Sequence, residues 1–240
     1  MHLDAASRQA YAEQGYLLLE RVLPPTQVDA LVAAADGHAA GDYRNYLNLH
    51  RECQPFRELI TSPPILAVAD SIQGHRMIPI GSIFFFSKPG SELEAGSVWH
   101  QDNYAPKAPY GSYLVIGVAL DDAAPENGSL VVFPRTHTLG DLPCEPSKNF
   151  EHDAEGRVTR VYPIGNPVAI PDRYEPQALT YPRGSLIVLH GHTIHGAPKN
   201  PHPTCWRRII YLHFIKDGDP FWPGWNARRA LVDRPDLPGA

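Results

Sequence analysis

Two short stretches carry side chains able to bind a metal. The first is "WHQD" at residues 99–102, where His100 and Asp102 stand two apart. Side chains alternate between faces in an extended segment, so this spacing sends the imidazole and the carboxylate the same way and Gln101 the other. The second is "GSLIVLHGHTIHGAPKN" at 184–200, which holds His190, His192 and His195. A pair from the first stretch and one imidazole from the second would give a two-histidine, one-carboxylate face on a metal, with the remaining positions open to other ligands. The three histidines of the second stretch are the alternative, a self-contained site that lacks a carboxylate. Another H-x-D occurs at His2–Asp4; triplets of this kind arise by chance and carry little weight alone.

The elements that must position these residues are legible as texture. Residues 4–14 read as helix and "GYLLLERVL" (15–23) as a strand. "PPTQVDALVAAAD" (24–36) opens on prolines and sets Val28, Leu31, Val32 and Ala35 on one helical stripe. "PPILAVADSIQG" (63–74) repeats that logic and stops at a glycine. From residue 77 the runs become strand-like: 77–87, 97–104, 113–122, 129–134, 167–171, 178–182, 185–190 and 207–215. Gly81, Gly111, Gly128 and Gly184, each followed by serine, read as turns or bends. The polar stretch 135–166 is too long for a plain hairpin connection and suits a lid or a surface loop.

Strands following two or three helices predict a mainly β fold, a jelly roll buttressed by N-terminal helices. The expected organisation is one domain over 1–240, with helical support to about residue 75, a jelly-roll core over about 76–216 and a C-terminal extension over 217–240.

Composition excludes several classes. The formal charge is −5 with no block of Lys or Arg, which speaks against a nucleic-acid surface. Cys53, Cys144 and Cys205 are odd in number and far apart, without the spacing of a zinc–thiolate site or a disulfide scaffold. The start "MHLDAASRQA" has no apolar core of a signal peptide, and no run reaches membrane-spanning length. A cytoplasmic protein is expected, and no feature sets an oligomeric state.

The segments "GYLLLERVLPPTQVDALVAAA", "KPGSELEAGSVWHQDNY", "VALDDAAPENGSLVVFPRTHTLG", "GSLIVLHGHTIHGAPKN" and "RRIIYLHFI" occur in that order. Together, from about residue 12 to 215, they resemble the phytanoyl-CoA dioxygenase family of Fe(II)/2-oxoglutarate oxygenases. The resemblance implies a double-stranded β-helix with His100 and Asp102 as metal ligands. It makes His195, which opens the H-G-x-x-x-N stretch 195–200, the third. His190 then matches a non-ligand histidine, and His192 matches no assigned role. It also implies an arginine on the following strand that holds the far carboxylate of 2-oxoglutarate, a task suited to the planar guanidinium fork.

Arg207 and Arg208 are the candidates, each requiring a small insertion relative to the family spacing. Alternation puts Arg207 with Ile209, Tyr211 and His213, and Arg208 with Ile210, Leu212 and Phe214. The more polar face suits a cavity wall, so Arg207 is favoured and Arg208 is expected in a surface ion pair. Phe84 matches a position lying against 2-oxoglutarate, with a plain core aromatic as the alternative. Trp99, Gln101, Asn103 and Tyr104 flank the metal pair and are candidate substrate contacts. His137 sits in "PRTH", where Arg135 replaces the family's usual glycine.

The implied chemistry uses Fe(II), 2-oxoglutarate and O2 to oxidise a small molecule, giving succinate and CO2. Because Asp102 fills the position that related halogenases leave free for chloride, hydroxylation is the default. Desaturation, epimerisation and cyclisation use the same ligands. A cupin-like Zn or Mn protein is the reading from another class. The substrate is not specified; residues 41–53, with Arg44, Asn48, His50 and Arg51, and the loop after 137 suit a polar or carboxylate-bearing molecule.

Overall fold

Local sequence signals decide the helical layer. In the computed structural model, which describes residues 3–37, 45–90, 98–144, 147–152, 155 and 157–237, α1 spans Ala5–Gln14. The Asp4 side chain accepts from the Ser7 N–H at its start, and Gly15 ends it in the left-handed conformation. β1 (Tyr16–Leu19) leads into α2 (Pro25–Asp36), which buries Val28, Leu31 and Ala35. β2 (Asn45–Leu47) and α3 (Gln54–Ile60) follow, then α4 (Pro63–Gln73). α3 was not expected: at seven residues it is too short to show a helical period, and its burial of Phe56, Leu59 and Ile60 holds it.

The long strands are β3 (Met77–Ser87), β4 (Tyr113–Ala119), β9 (Leu186–His190) and β11 (Arg207–Lys216). With β1 and β2 they form a six-stranded antiparallel sheet in the order β1-β9-β4-β11-β3-β2. Its helix side packs Phe84, Ile116, Val188 and Ile210 against residues such as Leu31, Phe56 and Leu66. The opposite side faces a smaller sheet, in which β5 (Val131–Val132) lies between β10 (His195–Gly196) and β8 (Gln177–Ala178). Ile80, Val115, Leu130, Leu179 and Ile209 fill the space between the two sheets. This is the expected jelly roll, helices on one face and a second sheet on the other.

Several expectations need correction. Within the expected strand 97–104, the described residues 98–104 do not form one. Of those described, His100 makes a single bridge to His195, and a helical turn begins at Asp102. The runs at 129–134 and 178–182 shrink to two-residue strands, and 167–171 to a bridge at Val168. Prolines at 134, 167, 171 and 182 withhold the N–H donors a longer ladder needs. The stretch 135–166 contains a hairpin of β6 (Ser147–His152) and β7 (Val158–Gly165). Gly111, Gly128 and Gly184 take positive φ as turn glycines, whereas Gly81 lies inside β3.

After β11 the chain turns back along β3. Ala230 N–H donates to Ile80 O at 3.0 Å and Val232 N–H to Pro79 O at 2.8 Å, beside the edge that β2 covers further along. Arg234 pairs with Asp70 at 2.7 Å and fastens this segment to α4. Among the described residues no helix is long and apolar enough to cross a membrane.

Arg135 sits at φ 68°, ψ 0°, the conformation a glycine would take without strain. Its N–H donates to Gln14 O at 2.8 Å, so docking against α1 holds it there. Arg135→Gly should therefore stabilise the protein by about 1 kcal/mol, the relief of left-handed strain less the added chain entropy of glycine. Urea unfolding measures it; a destabilised variant would show that the side chain outweighs the backbone.

Candidate metal centre

His100 and His195 are neighbours because their backbones pair. His100 N–H donates to His195 O at 3.0 Å, and His195 N–H returns a bond to His100 O at 3.1 Å. This reciprocal bridge brings the two rings to 4.4 Å between centroids. Gln101 keeps an extended backbone, φ −108° and ψ 132°. One step of strand alternation therefore survives where no strand forms, and Asp102 is delivered to the same side as His100.

Both imidazoles are oriented alike. His100 Nδ1 lies 2.9 Å from Val98 O and His195 Nδ1 lies 3.0 Å from Thr193 O. A carbonyl can only accept, so each Nδ1 carries the proton and each Nε2 presents a lone pair inward. Those Nε2 atoms stand 3.5 and 3.6 Å from the two oxygens of Asp102. Donor atoms of His100, Asp102 and His195 all lie within 4.8 Å of one another. Two neutral imidazoles and one carboxylate match the donor set of a non-haem Fe(II) facial triad.

The electrostatics agree. Burial alone would raise the Asp102 carboxyl, yet His195, His100 and His213 hold it well below the usual carboxylate range. Burial pushes His195 down, with Asp102 opposing. For His100 burial is outweighed by the Asp102 carboxylate and two backbone carbonyls, and its imidazole is raised.

The triad opens on a cavity of about 150 Å³ between the sheets. Arg207 lines it and is 8% exposed; its Nη1 donates to Gly128 O. Among the described residues Arg207 has no carboxylate partner, and burial lowers its pKa while Tyr181 and Tyr211 oppose that shift. Arg208 lies on the other face, between Asp121 at 2.7 Å and Asp36. The cavity wall continues through Ile209, Tyr211 and His213.

Other expectations fare differently. Phe84 is fully buried on the helix side of β3, edge-on to Phe56 at 5.7 Å; the cavity side carries Ile83 and Phe85 instead. Phe84 pairs with Ile210, whereas Phe85 pairs with Ile209, so register puts Phe84 with the core. None of the four flanking residues lines the cavity. Trp99 packs edge-on against Phe133 at 5.2 Å in a satellite apolar cluster. Gln101 is a clasp: its amide nitrogen donates to Gly140 O and His192 O, and its oxygen accepts from Leu142 N–H. Asn103 likewise bonds Ala108 O and the Ala108 N–H. Tyr104 is exposed.

His190, His192 and His137 form a second buried group. His190 lies 5.1 Å from His137 and 5.4 Å from His192, centroid to centroid, and His192 pairs with Asp141 at 2.9 Å. Tyr211 and His213 line the cavity on the face that alternation along β11 assigned to Arg207, whereas Tyr181 is a cavity residue that no local pattern marked. Arg44 lies outside the described residues; His50 is buried, with its Nδ1 2.7 Å from Ser82 Oγ.

A jelly roll with this donor set and a buried arginine on one cavity defines a class of site. Residues 11–209 match the sequence profile of phytanoyl-CoA dioxygenase (PhyH), and the chain belongs to that family. It is 25% identical over 193 residues to the mouse phytanoyl-CoA dioxygenase domain-containing protein 1, covering 79% of this chain and 62% of that protein. The chain thus spans under two thirds of the length of that relative. The carbocyclase SnoK from nogalamycin biosynthesis superposes with a TM-score of 0.73 at 20% identity, over 98% of this chain and 94% of that one. The epimerase SnoN, solved with Fe3+, alpha-ketoglutarate and nogalamycin RO, gives 0.72 at 18% identity, over 98% and 90%.

The raised His100 sets a pH dependence. Its protonated form stabilises the metal-free fold below pH 6.5, and that contribution is lost as pH rises through the folded pKa. A metal needs the neutral ring, so binding releases this proton and tightens with rising pH. The rise in melting temperature produced by Mn(II) should grow between pH 6 and pH 8 and shrink strongly in Asp102→Asn. A flat profile would mean that His100 does not bind the metal.

Proposed function

We propose that this chain is an Fe(II)- and 2-oxoglutarate-dependent oxygenase of a small molecule, with hydroxylation as its default outcome. The observation that carries the reading is Arg207, a buried guanidinium without a carboxylate partner among the described residues, on the same cavity as His100, Asp102 and His195. An unpaired buried charge is costly, so such a site is built for an anion that arrives from outside. The donor set fits iron, and the arginine lines the same cavity.

His100, Asp102 and His195 would hold the iron and leave its remaining positions on the cavity side. The Arg207 fork would take the distal carboxylate of 2-oxoglutarate, with the Tyr181 and Tyr211 rings walling that end. When bound, iron and 2-oxoglutarate supply the oxidising power, consuming O2 and releasing succinate and CO2. The protein's part is to fix ligand geometry, align the cosubstrate and keep water out with Leu130, Ile209 and Phe85. Asp102 occupies the place a halide would require, which favours hydroxylation over halogenation. Carbocyclisation and epimerisation, the activities named for the two structural neighbours, are alternative outcomes on one fold. A cupin-like zinc protein would have no use for Arg207. Three free cysteines suit a reducing compartment, consistent with a cytoplasmic enzyme.

Anaerobic addition of Fe(II) and 2-oxoglutarate should produce a weak visible absorption band that Zn(II) does not. His100→Ala, Asp102→Ala and His195→Ala should each abolish 2-oxoglutarate turnover, measured as succinate, while the fold persists. Activity kept in His195→Ala but lost in His192→Ala would overturn the ligand assignment.

Arg207→Ala should raise the 2-oxoglutarate concentration for half-maximal turnover about 10- to 100-fold, the worth of a charge-assisted bond. Arg208→Ala should change it little. The reverse order would move the anchor to Arg208.

A further inference from the structure

The cavity face of β11 presents its polar side chains in a fixed order: Arg207, Tyr211, His213. At about 3.3 Å per residue, roughly 20 Å of strand separates Arg207 from His213. Tyr211 and His213 share the cavity with the metal triad, and His213 is the lining residue of β11 farthest from Arg207. A cosubstrate stretched between metal and Arg207 occupies one end. The other end, at His213, is left for the molecule to be oxidised.

That end offers a donor. His213 is buried; its Nδ1 meets the Tyr113 hydroxyl and its Nε2 has no partner among the described residues. Among the described residues the Tyr113 hydroxyl has His213 as its partner, so the assignment that satisfies it has the O–H donating to Nδ1. The Nε2 then carries the hydrogen, an unused donor.

Directly across from His213 on β3 is Gly81. Opposed residues project to one face, and the space a Cβ at Gly81 would claim holds Asn48 Oδ1 at 3.1 Å and Arg229 Cγ at 3.7 Å. The stem of Arg229 therefore lies beside His213 on this face of the sheet, next to the cavity lining and not part of it. Its backbone is fixed there, since Arg229 N–H donates to Pro223 O at 2.9 Å and the next residue bonds Ile80 O. Arg234, on the same segment, is neutralised by Asp70. Arg229 has no carboxylate partner among the described residues, only a long 3.4 Å bond from its Nη1 to Pro223 O.

We propose that His213 and Arg229 form the substrate subsite and that the substrate is a small molecule bearing a carboxylate. The inference rests on the oxygenase reading above. The carboxylate accepts from the guanidinium and from the His213 Nε2–H, and so directs the rest of the molecule at the metal from the side opposite Arg207. A side chain at position 81 would press first on Asn48 Oδ1, at 3.1 Å, while the Arg229 stem would be in ordinary contact with it at 3.7 Å.

The test uses the full chain loaded with Mn(II) and saturating 2-oxoglutarate, a state inert to O2. Benzoate against benzamide, and N-acetylglycine against its amide, are titrated with the fluorescence of Trp222 and Trp225, which lie on the Arg229 segment, as readout. Each acid should bind at least about 10-fold more tightly than its amide, as expected for a charge-assisted pair. Arg229→Gln should remove that preference, and Arg229→Lys should keep part of it. The rise in melting temperature on loading serves as the control that each variant folds and fills. Binding of neither acid, equal binding of acid and amide, or an unchanged preference in Arg229→Gln overturns the subsite. Failure of the wild type to show any effect of Mn(II) and 2-oxoglutarate instead overturns the oxygenase reading, which separates the two failures.

Discussion

Two backbone hydrogen bonds, exchanged between His100 and His195, hold the site together. The residues are far apart in sequence, and neither belongs to a long strand. Reciprocal pairing fixes both the separation and the relative rotation of the two residues, which side-chain packing alone would leave loose. From that pair the rest follows locally. One extended residue, Gln101, delivers Asp102, and two carbonyls, each two residues before its histidine, turn both rings to present Nε2.

Such a short bridge needs support, and the turn 190–195 shows where it comes from. The carbonyl of Gly15, at the end of α1, accepts from both the His190 N–H and the Thr193 hydroxyl. Asn103 N–H donates to Gly191 O, and Ile194 N–H donates to Thr136 Oγ1. Gln101 ties His192 O to Gly140 O through one amide nitrogen. Segments from the helical layer, the metal loop and the 133–142 loop thus all converge on the five residues before His195. The N-terminal helix is in this sense part of the metal site, although none of its residues reaches the cavity.

Much of this was legible beforehand and some was not, for identifiable reasons. The pairing of His100 with Asp102, and of Arg207 with Tyr211 and His213, needs only period-two alternation, which is local. Arg208 among Asp121 and Asp36 follows from the same parity. Phe84 fails because its face depends on the register of β3 against β11, which no single strand reveals. Trp99, Gln101, Asn103 and Tyr104 were singled out for nearness in sequence to the metal pair, but alternation turns Trp99 and Gln101 to the other face, and the helical turn at Asp102 carries Asn103 and Tyr104 away. Gln101 and Asn103 instead spend their amides on backbone groups of neighbouring loops. The hairpin of β6 and β7 was hidden in a stretch whose polarity resembles a loop, and α3 is shorter than the window in which a helical period shows.

Two arginines of β11, adjacent in sequence, show how burial and pairing divide labour. Arg208 meets two aspartates and is electrically complete, so it can do little beyond tying α2 and the loop after β4 to the sheet. Arg207 is as well placed for a partner but has been given only a carbonyl and two tyrosine rings nearby. A fold retains an uncompensated buried cation only where something restores the balance, because solvent cannot reach it to do so. At the opposite end of the strand the His213 Nε2 again presents a buried donor without an acceptor among the described residues, with the half-buried Arg229 beside it. The strand thus offers donors at both ends, Arg207 and His213, about 20 Å apart along the chain. That is too far for one small anion to bridge, so each end needs its own acceptor.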